Sequence, residues 1–160
     1  FDLEYDEFIN SIKTTLFFDA WINETNEDFL LENYDIRPGE IRVKIEIADW
    51  LLYASSELAR VSMMSNNLIK EIHKLRIRVK NGVKEELLPL LKLKGVGRVR
   101  ARKLVLNGLK DLGDLKRTDL TSLAQILGSK LAVDVYKQLG LEVKEIPKGT
   151  RKGQLSLEKF

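Results

Sequence analysis

The chain predicts an all-α protein, and three observations carry the prediction. Apolar residues recur at spacings of three and four along most of the 160 residues, as on a helix face. No segment alternates with the two-residue period of a half-buried strand. Between the apolar stretches stand Thr25–Asp28, Pro38-Gly39, Asn81-Gly82 and Asn107-Gly108, which are helix start and stop signals. With 44% hydrophobic and 32% charged residues, the chain has the composition of a folded protein.

The first helix is expected over about Tyr5 to Asn23, with Phe8, Ile12, Leu16 and Ile22 among its apolar positions. Thr25, with Asp28 three residues on, has the spacing of a capping box and predicts a short helix from Asn26 to Asn33. Tyr34 to Gly39 reads as a turn, with Pro38 suited to the start of the next helix. That long helix, about Gly39 to Met63, places Ile41, Ile45, Ala48, Leu52, Ser55 and Ala59 in one buried stripe. Another runs from Asn66 to Lys80 and stops at Asn81-Gly82, where a domain boundary is expected. After Asn107-Gly108, Thr118 can cap a helix through Leu127 and Ser129 one through Leu139. From Leu141 the periodicity dissolves into a polar, basic stretch, Pro147 to Gly153, which predicts a flexible tail.

The most informative stretch is Leu93 to Leu104. Gly95 and Gly97 allow a tight turn around Lys94 and Val96. A helix starting near Arg98 offers free N–H groups and the positive end of its dipole to a phosphate. Arg98, Arg100, Arg102 and Lys103 add charge, Ala101 permits close helix approach, and Val99 and Leu104 are expected to face the core. Lys84 to Lys92, with Leu87, Leu88, Leu90 and Leu91 for packing and Pro89 inside it, reads as the preceding helix. The whole is a helix-hairpin-helix, a device that holds a nucleic-acid backbone without reading bases. Leu127 to Ala132 looks like a worn second copy of its turn. The expected fold is thus a helical bundle (1–81), a small helix-hairpin-helix domain (82–141) and the tail (142–160).

Charge supports a polyanion partner on one side of the chain. Residues 1–60 hold 5 basic and 14 acidic side chains, and residues 61–160 hold 22 and 10. From Lys70 to Lys103 the count is 12 basic to 3 acidic.

Three stretches resemble the archaeal DNA-repair helicases of the Holliday-junction-migration type (Hjm), relatives of the Ski-type superfamily-two helicases. They are Asp19 to Glu24 with Ile36 to Arg42, then Ile47 to Ala54, then Asn81 to Leu88 running into Gly95 to Leu104. The resemblance covers most of residues 1–140. It implies that residues 1–80 are the later part of a helical ratchet domain and 83–140 a small C-terminal domain acting as brake or gate on a strand. It implies translocation from 3′ to 5′, with Trp50 as the aromatic that stacks on a base. Stacking grips single strands whatever their sequence. Arg42, eight residues before Trp50 and about 80° around the helix, is the candidate basic partner, and Trp21 is read as packing.

No Gly-x-x-x-x-Gly-Lys-[Ser/Thr] phosphate loop occurs, so ATP and magnesium are expected to belong to motor domains elsewhere in a longer parent protein. The start at Phe1 is likewise read as that of a fragment or processed product. The chain has no Cys and a single His, which excludes disulfides, thiolate chemistry and His-based metal clusters. No catalytic residue and no metal site is expected. Without an apolar span or a leader pattern, no membrane partner is expected, and the location is read as archaeal cytoplasm, at the nucleoid. Gln154, Leu157 and Phe160 resemble a peptide that docks on the replication sliding clamp (PCNA). Two other functions fit parts of the chain. Asn26 to Ala54 could be the helix-turn-helix of a sequence-specific regulator, opposed by the acidity of residues 1–60. The clamp peptide could instead mark a protein-docking module.

Overall fold

The computed structural model describes residues 3–142. Every regular element among them is helical, and no strand occurs. The chain divides into two compact units, Phe1–Asp111 and Leu112–Phe160. The segment expected to form one hairpin domain, 82–141, is therefore shared between both units.

The first unit starts with α1 (Leu3–Ile22) and α2 (Glu27–Tyr34). Phe8, Ile12 and Leu16 of α1 are exposed, and the buried residue of the helix is Phe17. It packs with Leu30, Ile36 and Ile41, edge-on to the Tyr34 ring at 5.8 Å. The cap of α2 is Asn26 rather than Thr25: its side chain accepts the Asp28 N–H at 2.8 Å. An Asn one position beyond a Thr can do the same work, and sequence spacing alone does not separate them.

Pro38 opens α3 (Pro38–Val61), which packs extensively on α4 (Asn66–Asn81). Ile41, Ser56 and Ala59 are the buried residues of α3; Ser55, expected in the stripe, is exposed. Ser56 is satisfied within its own helix, its Oγ donating to Tyr53 O at 2.7 Å, which permits a hydroxyl at zero exposure. Ser65 caps α4, and Gly82 ends it in the left-handed region at φ 61°. A Cβ at Gly82 would lie 2.5 Å from the Trp21 ring, so this position combines a left-handed turn with a close approach. Trp21 Nε1 donates to Val79 O at 2.7 Å, which ties the end of α1 to the end of α4.

The helix expected over Lys84 to Lys92 is instead two short 3₁₀ turns, Glu85–Leu87 and Leu90–Lys92, with Pro89 between them. Proline has no N–H to continue a ladder. Leu87, Leu90 and Leu93 are nonetheless buried, and α5 (Arg98–Leu106) packs on both turns.

The second unit holds α6 (Leu112–Arg117), α7 (Leu120–Leu127) and α8 (Ser129–Gln138). The first of these was not expected from sequence. Asp119, not Thr118, caps α7: its carboxylate accepts Ser122 N–H at 2.8 Å. Thr118 is occupied elsewhere, its Oγ1 donating to Asp114 O at 2.8 Å and its carbonyl accepting the Tyr136 hydroxyl. Leu115, Leu123, Ala132 and Val135 form the buried row of this unit.

Candidate nucleic-acid interface

Gly95 turns the chain at φ 83°, and Gly97 sits at the N-cap of α5 in an extended conformation with no side chain to cap the helix. The first turn of α5 thus has no side-chain partner for its N–H groups, and Gly97, Val99 and Arg100 around it are exposed. Val99, expected in the core, is 67% exposed. The core position is taken by Val96, whose N–H also donates to Leu93 O at 3.1 Å. Val96 therefore belongs to the turn through its backbone and to the core through its side chain.

At 100° per residue, eight of the nine residues of α5 sort into two faces, with the fully buried Leu104 between them. Arg98, Ala101, Arg102 and Val105 lie on one, and none of them is exposed. Val99, Arg100, Lys103 and Leu106 lie on the other, and all four are exposed. Arg100 Nη1 donates to Gly95 O at 2.8 Å, bracing the turn that precedes it. Lys94 is exposed at that turn. The exposed face and the turn together present Lys94, Arg100 and Lys103.

The two inner arginines are engaged by the corner between α1 and α2. Arg98 stacks over the Trp21 ring, its Cζ 4.9 Å from the centroid, and Nη2 donates to Thr25 O at 3.1 Å. Arg102 forms a fork on Glu24, with Nε–Oε2 at 2.7 Å and Nη2–Oε1 at 2.8 Å, and reaches Glu86 Oε1 through Nη1 at 2.7 Å. Burial alone would raise the Glu24 carboxyl. The Arg102 hydrogen bonds, the Lys84 N–H and the charges of Arg102 and Arg98 outweigh it and hold the group below its ordinary value. The same pairing raises Arg102. From sequence Glu86, beside Glu85, reads as solvated charge, and Glu24 is no candidate site residue. Glu24 lies 78 residues from Arg102, and nothing local announces a pairing at that distance.

On α3, Trp50 is 65% exposed. Arg42 is exposed and paired with Glu46 at 3.0 Å, one turn on along the same helix. Beside Trp50, Asp49 forms a fork with Arg76 of α4, at 2.7 and 3.2 Å, and Arg76 lies over the Tyr53 ring with its Cζ 4.9 Å from the centroid. The hydrogen bond from Arg76 lowers the Asp49 carboxyl against a smaller opposing effect of burial. Gln154, Leu157 and Phe160 lie outside the described residues. Among those described, no cluster of His, Asp or Glu could hold a metal ion, and no helix is long and apolar enough to cross a membrane.

The first unit is thus a helical bundle that runs into a glycine turn and a basic helix without a side-chain cap. A family model described as archaeal helicase, domain 4, matches residues 1–82, just over half of the chain. The chain belongs to this archaeal helicase family and is of the Hel308 type. It is 40% identical to the ATP-dependent DNA helicase Hel308 of Pyrococcus abyssi, over 97% of its own length and 22% of that protein's. The match to the Hel308 of Caldivirga maquilingensis is 41% over 89% of the chain, and to that of Methanocaldococcus jannaschii 37% over 85%. The chain spans 22%, 19% and 11% of the length of these three relatives.

Proposed function

We propose that the chain is the strand-handling part of an ATP-dependent, 3′-to-5′ DNA helicase that acts on stalled forks and branched DNA in repair and recombination inside the archaeal cell. In this reading residues 1–81 supply a ratchet-type bundle and 82–141 a helix-hairpin-helix domain. The Lys94–Gly97 turn, the opening of α5, and the exposed Arg100 and Lys103 hold the sugar-phosphate chain of single-stranded or forked DNA, with Arg98 and Arg102 bracing the helix from its inner face. Trp50 stacks on a base, with Arg42 nearby. Nucleotide chemistry, with ATP and magnesium, belongs to motor domains of the parent protein, which are partners of this chain. Gln154, Leu157 and Phe160 are proposed to recruit the sliding clamp, and deleting them should remove clamp binding while leaving DNA binding intact.

The observation that carries the reading is the outer face of α5: a helix start without a side-chain cap, exposed cations and no carboxylate within the helix. The test is the salt dependence of single-strand binding by Arg100→Ala/Lys103→Ala. Each phosphate contact removed should lower the slope of log K against log salt by about 0.7. An unchanged slope rules out α5 as the contact surface.

A further inference from the structure

We infer that Glu24 is a positioning residue for the DNA grip of α5, acting through Arg102. The inference rests on the α5 reading above and assigns a role to a corner of the molecule that touches no DNA in it.

Glu24 lies two residues beyond the end of α1 and stands at φ 64°, a left-handed conformation that is strained for a side chain of this kind. Asn or Gly would hold that backbone more easily, yet a long carboxylate occupies it. Its side chain is only 12% exposed and accepts from three donors. Two belong to the Arg102 guanidinium; the third is the backbone N–H of Lys84 at 3.0 Å. One carboxylate therefore ties the end of α1 to the start of the 3₁₀ segment and to the middle of α5. Arg98, one turn earlier on α5, meets the same corner through Trp21 and Thr25. Two arginines four residues apart thus fix both the height and the rotation of α5. A fork of two parallel bonds resists rotation, which a single contact does not.

Rotation is what the grip needs held. Arg100 and Lys103 stand on the face of α5 opposite Arg98 and Arg102. A turn of the helix about its axis would carry both cations off any backbone that also meets the Gly97 opening. Glu86 completes the clasp from the solvent side, its side chain 51% exposed, and is the weaker limb.

The test is a double-mutant cycle on single-strand affinity with a thermal melt alongside. Glu24→Gln keeps the shape of the side chain and removes its charge. In the otherwise unchanged chain it should weaken binding about fivefold. In an Arg100→Ala/Lys103→Ala background it should change affinity by less than about twofold, while lowering the melting temperature equally in both. Glu86→Gln should show the same pattern with a smaller loss. If Glu24→Gln unfolds the chain, Arg102→Lys replaces it, keeping the charge but losing the fork, with the same expectation. Equal loss of affinity in both backgrounds, or no loss in the first, overturns the positioning role and leaves the α5 grip standing. If Arg100→Ala/Lys103→Ala binds like the unaltered chain, the grip itself falls and the inference with it.

Discussion

Gly97 opens α5 and Gly128 opens α8, and from those residues onward the two helices pack alike. Ala101 and Ala132 each donate their N–H to the carbonyl of the glycine four residues back, at 2.9 and 3.0 Å, and both are fully buried. Three residues further, Leu104 and Val135 are also fully buried. Neither helix has a side-chain cap. Their charges differ. α5 carries Arg98, Arg100, Arg102 and Lys103 with no acidic residue, whereas α8 carries Lys130 and Lys137 against Asp134. A glycine-opened helix over a small buried residue is therefore a packing solution first. Charge on the outward face decides whether it also offers a surface to a polyanion.

The comparison breaks most readily at its shared part. Leu104→Ala should cost about 2–5 kcal/mol of stability, read from a denaturant melt. A loss below about 1 kcal/mol would mean that the buried row does not hold α5 in place. Trp50→Ala, on neither hairpin, isolates stacking from charge. It should cost about 1–3 kcal/mol of single-strand affinity while the salt slope stays unchanged, with a melt within about 0.5 kcal/mol of the original. The charge difference is probed by Arg100→Ala/Lys103→Ala against Lys130→Ala/Lys137→Ala. The first pair should lose about tenfold in affinity near physiological salt; an equal loss from the α8 pair would erase the distinction between the two helices.

The smallest effect is the acid one. Because the folded Glu24 carboxyl is held below its ordinary value, its contribution is complete above the ordinary carboxylate range and is lost as pH falls through the depressed value. Below about pH 4, Trp21 fluorescence in a Trp50→Phe background should report loosening of the α1–α2 corner. Glu24→Gln should flatten that response. Asp119, the cap of α7, is lowered by the hydrogen bonds it accepts from Ser122 and should lose its own contribution in the same direction.

Long helices were legible where their ends carry an unambiguous stop. Pro38, Asn81-Gly82 and Asn107-Gly108 mark ends of α3, α4 and α5 within a residue or two. Caps were misplaced by one residue where two competent residues adjoin, as at Thr25-Asn26 and Thr118-Asp119. Ser55 and Ser56 changed places for the same reason. The helix α6 is six residues long, too short for a periodic signal. Leu87, Leu88, Leu90 and Leu91 have a helical spacing that Pro89 overrides.

At the site, the turn and its uncapped helix could be read from Gly95, Gly97 and the run of arginines. The division of those arginines into inner and outer pairs could not. It depends on Glu24 and Trp21, which the fold brings to α5 from more than 70 positions away. Charge counting assigns all four cations to the ligand; the fold spends two of them on the molecule itself.

Val99 gives the outer face of α5 a practical use. The chain contains no thiol, and Val99 combines high exposure with a place in the first turn of that helix. A single Val99→Cys would therefore carry one fluorophore or spin label, attached beside the proposed strand path, with no background sites to remove.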